Sequence, residues 1–153
     1  PATCTVRVTR QDANAVVKSD ATGPCDLAYL DPPYNQHPYG SNDFMLNLIA
    51  DYERPEAISR VSGIPRDWNR SRYNKRQEIA DALHDLVAHL DARFVLVSYN
   101  SEGFLSEHDL RALLETFGPV DTLRRPYNAF RGSRNLAQRD TYVTELLYLL
   151  ERG

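Results

Sequence analysis

The sequence predicts an α/β domain: a mostly parallel sheet with helices on both faces and an antiparallel hairpin at one edge. Three observations predict it. Strand-like runs alternate with helical stripes over most of the chain. Two of those runs, Asp26 to Leu30 and Arg93 to Tyr99, are apolar on both faces, as the buried strands of parallel sheets are. The last two runs have only a loop between them, too little for a parallel crossover helix, so they should pair antiparallel.

Taken in order, Thr3 to Val8 alternates β-branched residues and reads as a first strand. Gln11-Asp12-Ala13-Asn14 leads into a short helical stretch to about Ser19, and Thr22-Gly23-Pro24 turns the chain. The second strand, Asp26 to Leu30, stops at Asp31-Pro32-Pro33 because two prolines cannot continue a hydrogen-bonded ladder. Ser41 or Asn42 then caps a helix whose Met45, Leu48, Ile49 and Tyr52 fall at i, i+3, i+4, i+7. Residues 53–72 hold two prolines, a glycine and many charges, and read as a long loop of a kind usually functional or disordered. From about Tyr73 to Leu90, Ile79, Leu83, Leu86, Val87 and Leu90 form one helical stripe. Arg93 to Tyr99 is the third strand. The helix after it carries Ser106 as N-cap, Asp109 three residues on, and Leu105 with Leu110 as a hydrophobic staple. Its stripe is Leu110, Leu113, Leu114 and Phe117, and Gly118 closes it. Val120 to Arg125 and Thr141 to Leu150 are the final strands, with an Arg-rich loop between them.

The 153 residues suit one domain, and a net charge of −3 argues against a histone-like polycation. Local patches matter more than the sum, and 16 of the 18 cations are Arg, the side chain suited to bidentate phosphate contacts. The longest apolar runs, Phe94 to Val97 and Leu146 to Leu150, are far below the roughly 18 residues that a membrane span needs. No charged-then-apolar leader opens the chain, and Cys4 and Cys25 make no disulfide framework, so a reduced, cytoplasmic protein is expected. The sequence starts at Pro1 without Met and drops directly into a strand-like run, as a piece of a longer chain would. His84 and His89 are five apart, off the spacing that puts two ligands on one helical face, so no metal is expected.

The informative tetrapeptide is Asp31-Pro32-Pro33-Tyr34 at a strand end. Asp31 offers a carboxylate acceptor. The Pro32 carbonyl is a second acceptor of restricted direction, because the residue before a proline is held extended. Tyr34 adds a flat π face. Together they suit a planar base bearing an exocyclic NH₂ whose two hydrogens are accepted at once. Such a nitrogen is a poor nucleophile, since its lone pair is delocalised into the ring. Accepting both hydrogens favours a pyramidal nitrogen with its lone pair out of plane, which is orientation plus stabilisation of the transition state. A plain turn after a strand is the competing reading of the same four letters.

The tetrapeptide resembles the catalytic motif of amino-directed, S-adenosylmethionine-dependent DNA methyltransferases. The longer stretch Tyr29 to Asn42 is similar to the catalytic loop of DNA adenine methyltransferases of restriction-modification type. Trp68 to Lys75, Ser98 to Phe104 and Tyr127 to Asn135 resemble further segments of that family, in the expected order. The resemblance implies a Rossmann-like class I methyltransferase sheet from its third strand onward, with the N-terminal strands missing. It implies that Asp31, Pro32, Pro33 and Tyr34 hold a flipped adenine, whose extrusion costs a few kcal/mol. It further implies that Asp12 and Ala13, with Asp31, contact the S-adenosylmethionine cofactor; Asp12 could equally be a helix N-cap. Asn35, Tyr39, Ser41, Asn42, Tyr99, Asn100 and Phe130 are carried over as DNA-contacting residues, although Phe130 could equally be core.

Two basic clusters read as phosphate contacts or as solvated surface. Arg66, Arg70, Arg72, Lys75 and Arg76 surround Trp68 and Tyr73, and Arg124, Arg125, Arg131, Arg134 and Arg139 follow later. The family's glycine-rich cofactor turn is not found: the 7 glycines are scattered. Nor is there room for a recognition domain between Asp12 and Asp31. The expected partners are therefore double-stranded DNA, a missing N-terminal segment or separate subunit carrying the glycine turn, and a possible cognate restriction endonuclease. Two other readings stay open: a non-catalytic nucleic-acid-binding remnant, and an amino-methyltransferase acting on RNA or on a protein amide.

Overall fold

A computed structural model of the chain describes residues 4–19, 22–53, 55–66, 71–128 and 142–152. Its centre is a four-stranded sheet in the order β1-β2-β4-β3, built from β1 (Cys25–Leu30), β2 (Ala92–Asn100), β3 (Val120–Asn128) and β4 (Tyr142–Glu151). β1 and β2 are parallel, whereas β4 runs antiparallel to both β2 and β3. The final hairpin is as the sequence predicts, but β4 inserts beside β2 and leaves β3 at the edge. The sheet is therefore mixed, with one parallel pairing, and the expectation of a mostly parallel sheet is corrected for the described strands.

Two helices form the core with one face of the sheet. α4 (Ile79–His89) starts later than predicted and buries Ile79, Leu83, Leu86 and Val87 of the stripe read from the sequence together with Ala82, while Leu90 of that stripe is its C-cap. α5 (Glu107–Glu115) buries Leu110 and Leu114, and its Ser106 cap is realised: Oγ accepts from the Asp109 amide at 3.1 Å and donates to the Asp109 carboxylate at 2.7 Å. Against them stand Val95, Val97 and Tyr99 of β2, Leu146, Tyr148 and Leu150 of β4, and Val120 of β3. The register puts Leu27, Tyr29, Leu96, Leu149, Leu147 and Leu123 on the opposite face. No described helix covers it, and Tyr29 and Leu123 are 59% and 66% exposed. The expectations of helices on both faces and of a strand at Asp26 to Leu30 buried on both faces are corrected accordingly for the described residues.

Two further expectations fail for one reason. Residues 4–8 form no strand, and Val6 and Val8 are exposed. An alternating segment becomes a strand only when a neighbour completes its hydrogen bonds, and no described strand lies beside it. The predicted single helix with a buried stripe is two pieces, α2 (Tyr39–Asn42) and α3 (Phe44–Asp51), neither with a side-chain cap. Met45 and Ile49 are exposed, and Tyr52 ends α3 in the left-handed region (φ 54°), outside the helix it was expected to extend. A 3.6-residue stripe shows that a helix has an apolar side, not that something packs on it.

Gly118 is where α5 turns into the sheet. A Cβ there would run into the backbone carbonyl oxygen of Glu151, which a side-chain rotation cannot relieve. Gly118→Ala should cost about 3 kcal/mol. Urea denaturation of the chain measures it, and an unshifted midpoint would contradict this packing.

Candidate active site

β1 ends at Leu30 beside Val97 of β2, and the next four residues leave the carboxyl end of the parallel pair. Asp31 is exposed, Pro32 is buried, and Pro33 and Tyr34 are partly buried. The Asp31 carboxylate has no hydrogen bond or ion pair among the described residues, and neither does the Pro32 carbonyl. Among the described residues both acceptors are thus unspent, at the place where ligands of open α/β sheets bind.

Two cavities meet at Pro33. The larger, of about 650 Å³, has Asp12, Ala13, Asp31, Pro32, Ser71 and Tyr73 among its walls. The smaller, of about 240 Å³, is lined by Pro33, Tyr34, Asn35, His37 and Tyr39. The larger lies in the usual size range of small-molecule sites, roughly 300–1,000 Å³. Partial burial, followed by the Glu145 carboxylate, pushes the Tyr34 phenol up, and Asp31 adds to it. Burial and then Asp31 do the same for Tyr39. Both rings stay neutral around neutral pH and offer uncharged aromatic faces.

The Tyr34 segment is held from behind. The Phe104 amide donates to the Tyr34 carbonyl at 2.8 Å, and Asn74 Nδ2 donates to the Asn35 carbonyl at 2.8 Å. The Tyr99 ring meets Tyr34 edge-on at 6.0 Å, and its hydroxyl accepts from the Leu105 amide at 3.3 Å. Arg76 stacks over the Phe104 ring at 4.9 Å and donates to its carbonyl at 3.3 Å. A backbone tied from several elements loses little further entropy when a ligand arrives.

The predicted residues divide accordingly. Asp12, Ala13, Asp31, Pro32 and Pro33 come together in the larger cavity, and Tyr34, Asn35 and Tyr39 in the smaller. Asp12 is also the N-cap of α1 (Ala13–Val17), with Oδ1 accepting from the Ala15 amide at 3.0 Å, as its competing reading expects. Asn35 Oδ1 accepts from the His37 amide at 2.9 Å, and Ser41 Oγ donates to the Pro38 carbonyl at 3.0 Å, which shapes the loop leading into α2. Tyr99 and Asn100 are 1% and 4% exposed, which corrects their assignment to DNA contact. Asn100 donates to Glu145 at 2.7 Å and accepts from the Glu102 amide, tying β2 to β4. Tyr99 shares the core-facing side of β2 with Val95 and Val97, and Asn100 adds one residue to the strand, opposite Glu145. Trp68, Arg70, Phe130, Arg131 and Arg134 lie outside the described residues, as does the Asn42 side chain.

Of the cations, Arg66 and Arg125 are exposed. Arg72 and Lys75 both reach Glu78, at 3.8 and 2.8 Å, and Arg124 pairs with Glu107. Exposed pairs of this kind contribute about 0–1 kcal/mol, so a phosphate can displace them. Asn14, Asn74, Gly103 and Phe104 escaped assignment to any role. The last three lie inside segments that resemble the family, and nothing in the sequence marks Asn14.

Two acceptors without a partner among the described residues thus stand beside two adjoining cavities at the sheet's carboxyl edge. The family model for D12 class N6 adenine-specific DNA methyltransferases matches residues 3–113, and the chain belongs to that family. It is 32% identical over 150 residues to the type II methyltransferase M.NlaIII of Neisseria lactamica, covering 95% of this chain and 43% of that protein. It is 35% identical over 126 residues to the type II methyltransferase M.CviAII of Paramecium bursaria Chlorella virus 1, covering 82% of this chain and 37% of that one. The type II methyltransferase M.FokI of Planomicrobium okeanokoites is 30% identical over 145 residues, 93% of this chain and 22% of its own length. The chain thus spans less than half the length of these relatives. No solved structure matches it significantly.

Proposed function

We propose that this chain is the catalytic part of a restriction-modification DNA methyltransferase that transfers a methyl group from S-adenosylmethionine to the 6-amino group of a flipped adenine. The observation that carries the proposal is the pair of unspent acceptors, Asp31 and Pro32, between two cavities. The acid Asp12 and apolar and aromatic walls suit the cofactor in the larger cavity, and the smaller one beside Tyr34 suits the target ring. When bound, the cofactor supplies an electrophilic methyl group. Asp31 and Pro32 accept the two hydrogens of the target amine and turn its lone pair out of the ring plane. As the N–C bond formed and the methyl group's bond to the donor sulfur broke, leaving a neutral thioether, positive charge would pass to that nitrogen beside the Asp31 carboxylate, which stabilises the transition state more than the ground state, and the nitrogen would then give up one proton to solvent. Tyr34 holds the ring by stacking, which offsets part of the extrusion cost. The exposed Arg66 and Arg125 suit phosphate, and Arg72 and Lys75 can exchange Glu78 for it.

The cofactor's other half needs a glycine-rich turn that this sequence does not contain. We infer that a further segment, in the same polypeptide or a separate subunit, supplies it by pairing with the open edge of β1 and covering the apolar face around Tyr29 and Leu123. The length of the relatives and the exposure of that face support this reading. Isothermal titration of the 153 residues alone with S-adenosylmethionine should give no micromolar binding and no turnover on DNA. A micromolar dissociation constant would overturn the inference of a missing half. The full-length protein should methylate adenine in double-stranded DNA, and full-length protein without that activity would overturn the function.

A further inference from the structure

Asn14 is a buried polar residue, 4% exposed, on a five-residue helix that otherwise lies near the surface. Its carboxamide bridges two distant parts of the chain. Nδ2 donates to the Ala82 carbonyl and to Asp85 Oδ2, each at 2.8 Å, and Oδ1 accepts from the Tyr73 hydroxyl at 2.8 Å. Lys18 closes the group on Asp85 at 2.7 Å. The orientation is forced, since exchanging amide O and N would turn oxygen toward two acceptors, the Ala82 carbonyl and the Asp85 carboxylate. Burial pushes the Tyr73 phenol up, so it remains a donor at any working pH. The Lys18 and Asn14 hydrogen bonds hold the Asp85 carboxyl down, so it remains an acceptor.

The placement of these groups matters. Asp12 and Ala13, directly before Asn14, form one wall of the larger cavity, and Ser71 and Tyr73 form another. The bridge therefore spans from one wall, through α4, to the other. We propose that Asn14, with Tyr73 and Asp85, is a positioning clasp that sets the width of the cofactor cleft and so its affinity for S-adenosylmethionine. The proposal rests on the functional reading above and adds residues that never touch the methyl group.

The test uses the full-length enzyme and S-adenosylmethionine itself. Asn14→Asp keeps the shape but sets a carboxylate oxygen against the Ala82 carbonyl and Asp85. It should raise the KM for S-adenosylmethionine about 10- to 100-fold, the loss of one charge-assisted bond to Asp85 and one neutral bond to Ala82, with kcat and DNA affinity within about threefold. Adding Asp85→Asn restores a donor opposite the new carboxylate and should recover about tenfold of the loss. Should Asn14→Asp fail to fold, Asp85→Ala, whose side chain is partly exposed, should raise the same KM about three- to tenfold. An unchanged KM in a folded variant, or a fall in kcat without a change in KM, would overturn the clasp. Wild-type enzyme that neither binds S-adenosylmethionine nor methylates DNA would instead overturn the functional reading.

Discussion

Asp31→Ala in the full-length protein should lower the single-turnover rate of methyl transfer by about 10³-fold or more, with DNA affinity within about twofold. The asymmetry follows from position. The carboxylate stands at a strand end, exposed and without an ion pair or hydrogen bond among the described residues, so removing it disturbs no packing. The substitution also leaves Arg66 and Arg125, the exposed cations suited to phosphate, in place. In the proposed mechanism it removes an acceptor whose interaction strengthens as charge builds on the amine nitrogen, so the loss should fall on the rate. Asp31→Asn keeps an acceptor oxygen but not the charge, and should retain more activity than Asp31→Ala, about ten times as much. Single-turnover transfer and a DNA gel shift measure the two quantities. Undiminished transfer by Asp31→Ala would remove the mechanism.

Gly103→Ala should both destabilise the chain, by about 2 kcal/mol, and slow transfer in the full-length protein. A methyl group at 103 would overlap the Cε1 and Cζ atoms of the Tyr99 ring. That ring is nearly fully buried, so it cannot swing into solvent. Its displacement would disturb both the edge-on contact with Tyr34 and the hydroxyl bond from the Leu105 amide. Thermal or urea unfolding reads the first effect and kcat the second. Combining Gly103→Ala with Tyr99→Leu, which removes the colliding atoms, should cost less than the sum of the two single changes. Strict additivity would mean that residues 99 and 103 do not touch in this way.

Elements whose signals are local were legible in the sequence. The α4 stripe, the Ser106 cap of α5, β2 and the closing antiparallel hairpin all stand where periodicity and capping put them. So does the stop at Asp31-Pro32-Pro33, since proline's missing N–H ends a ladder whatever surrounds it. Positions 4–8 and the stripe of α3 were misread because alternation and periodicity describe one surface and say nothing of its partner. Tyr99 and Asn100 were assigned to DNA because they sit in a family-like segment at a strand end, yet the fold turns them inward to hold Tyr34 and β4.

By itself, the order of residues determined that a carboxylate, two rigid prolines and a tyrosine follow a strand, and hence what chemistry they offer. Only the tertiary structure decided that β4 enters between β2 and β3 and that no described helix covers one sheet face. It also decided that residues 59 to 71 positions apart close on Asn14. The reason is physical: hydrogen-bond capacity and backbone restriction belong to the residue, whereas pairing, burial and the spacing of cavity walls belong to contacts between segments that the chain does not place side by side.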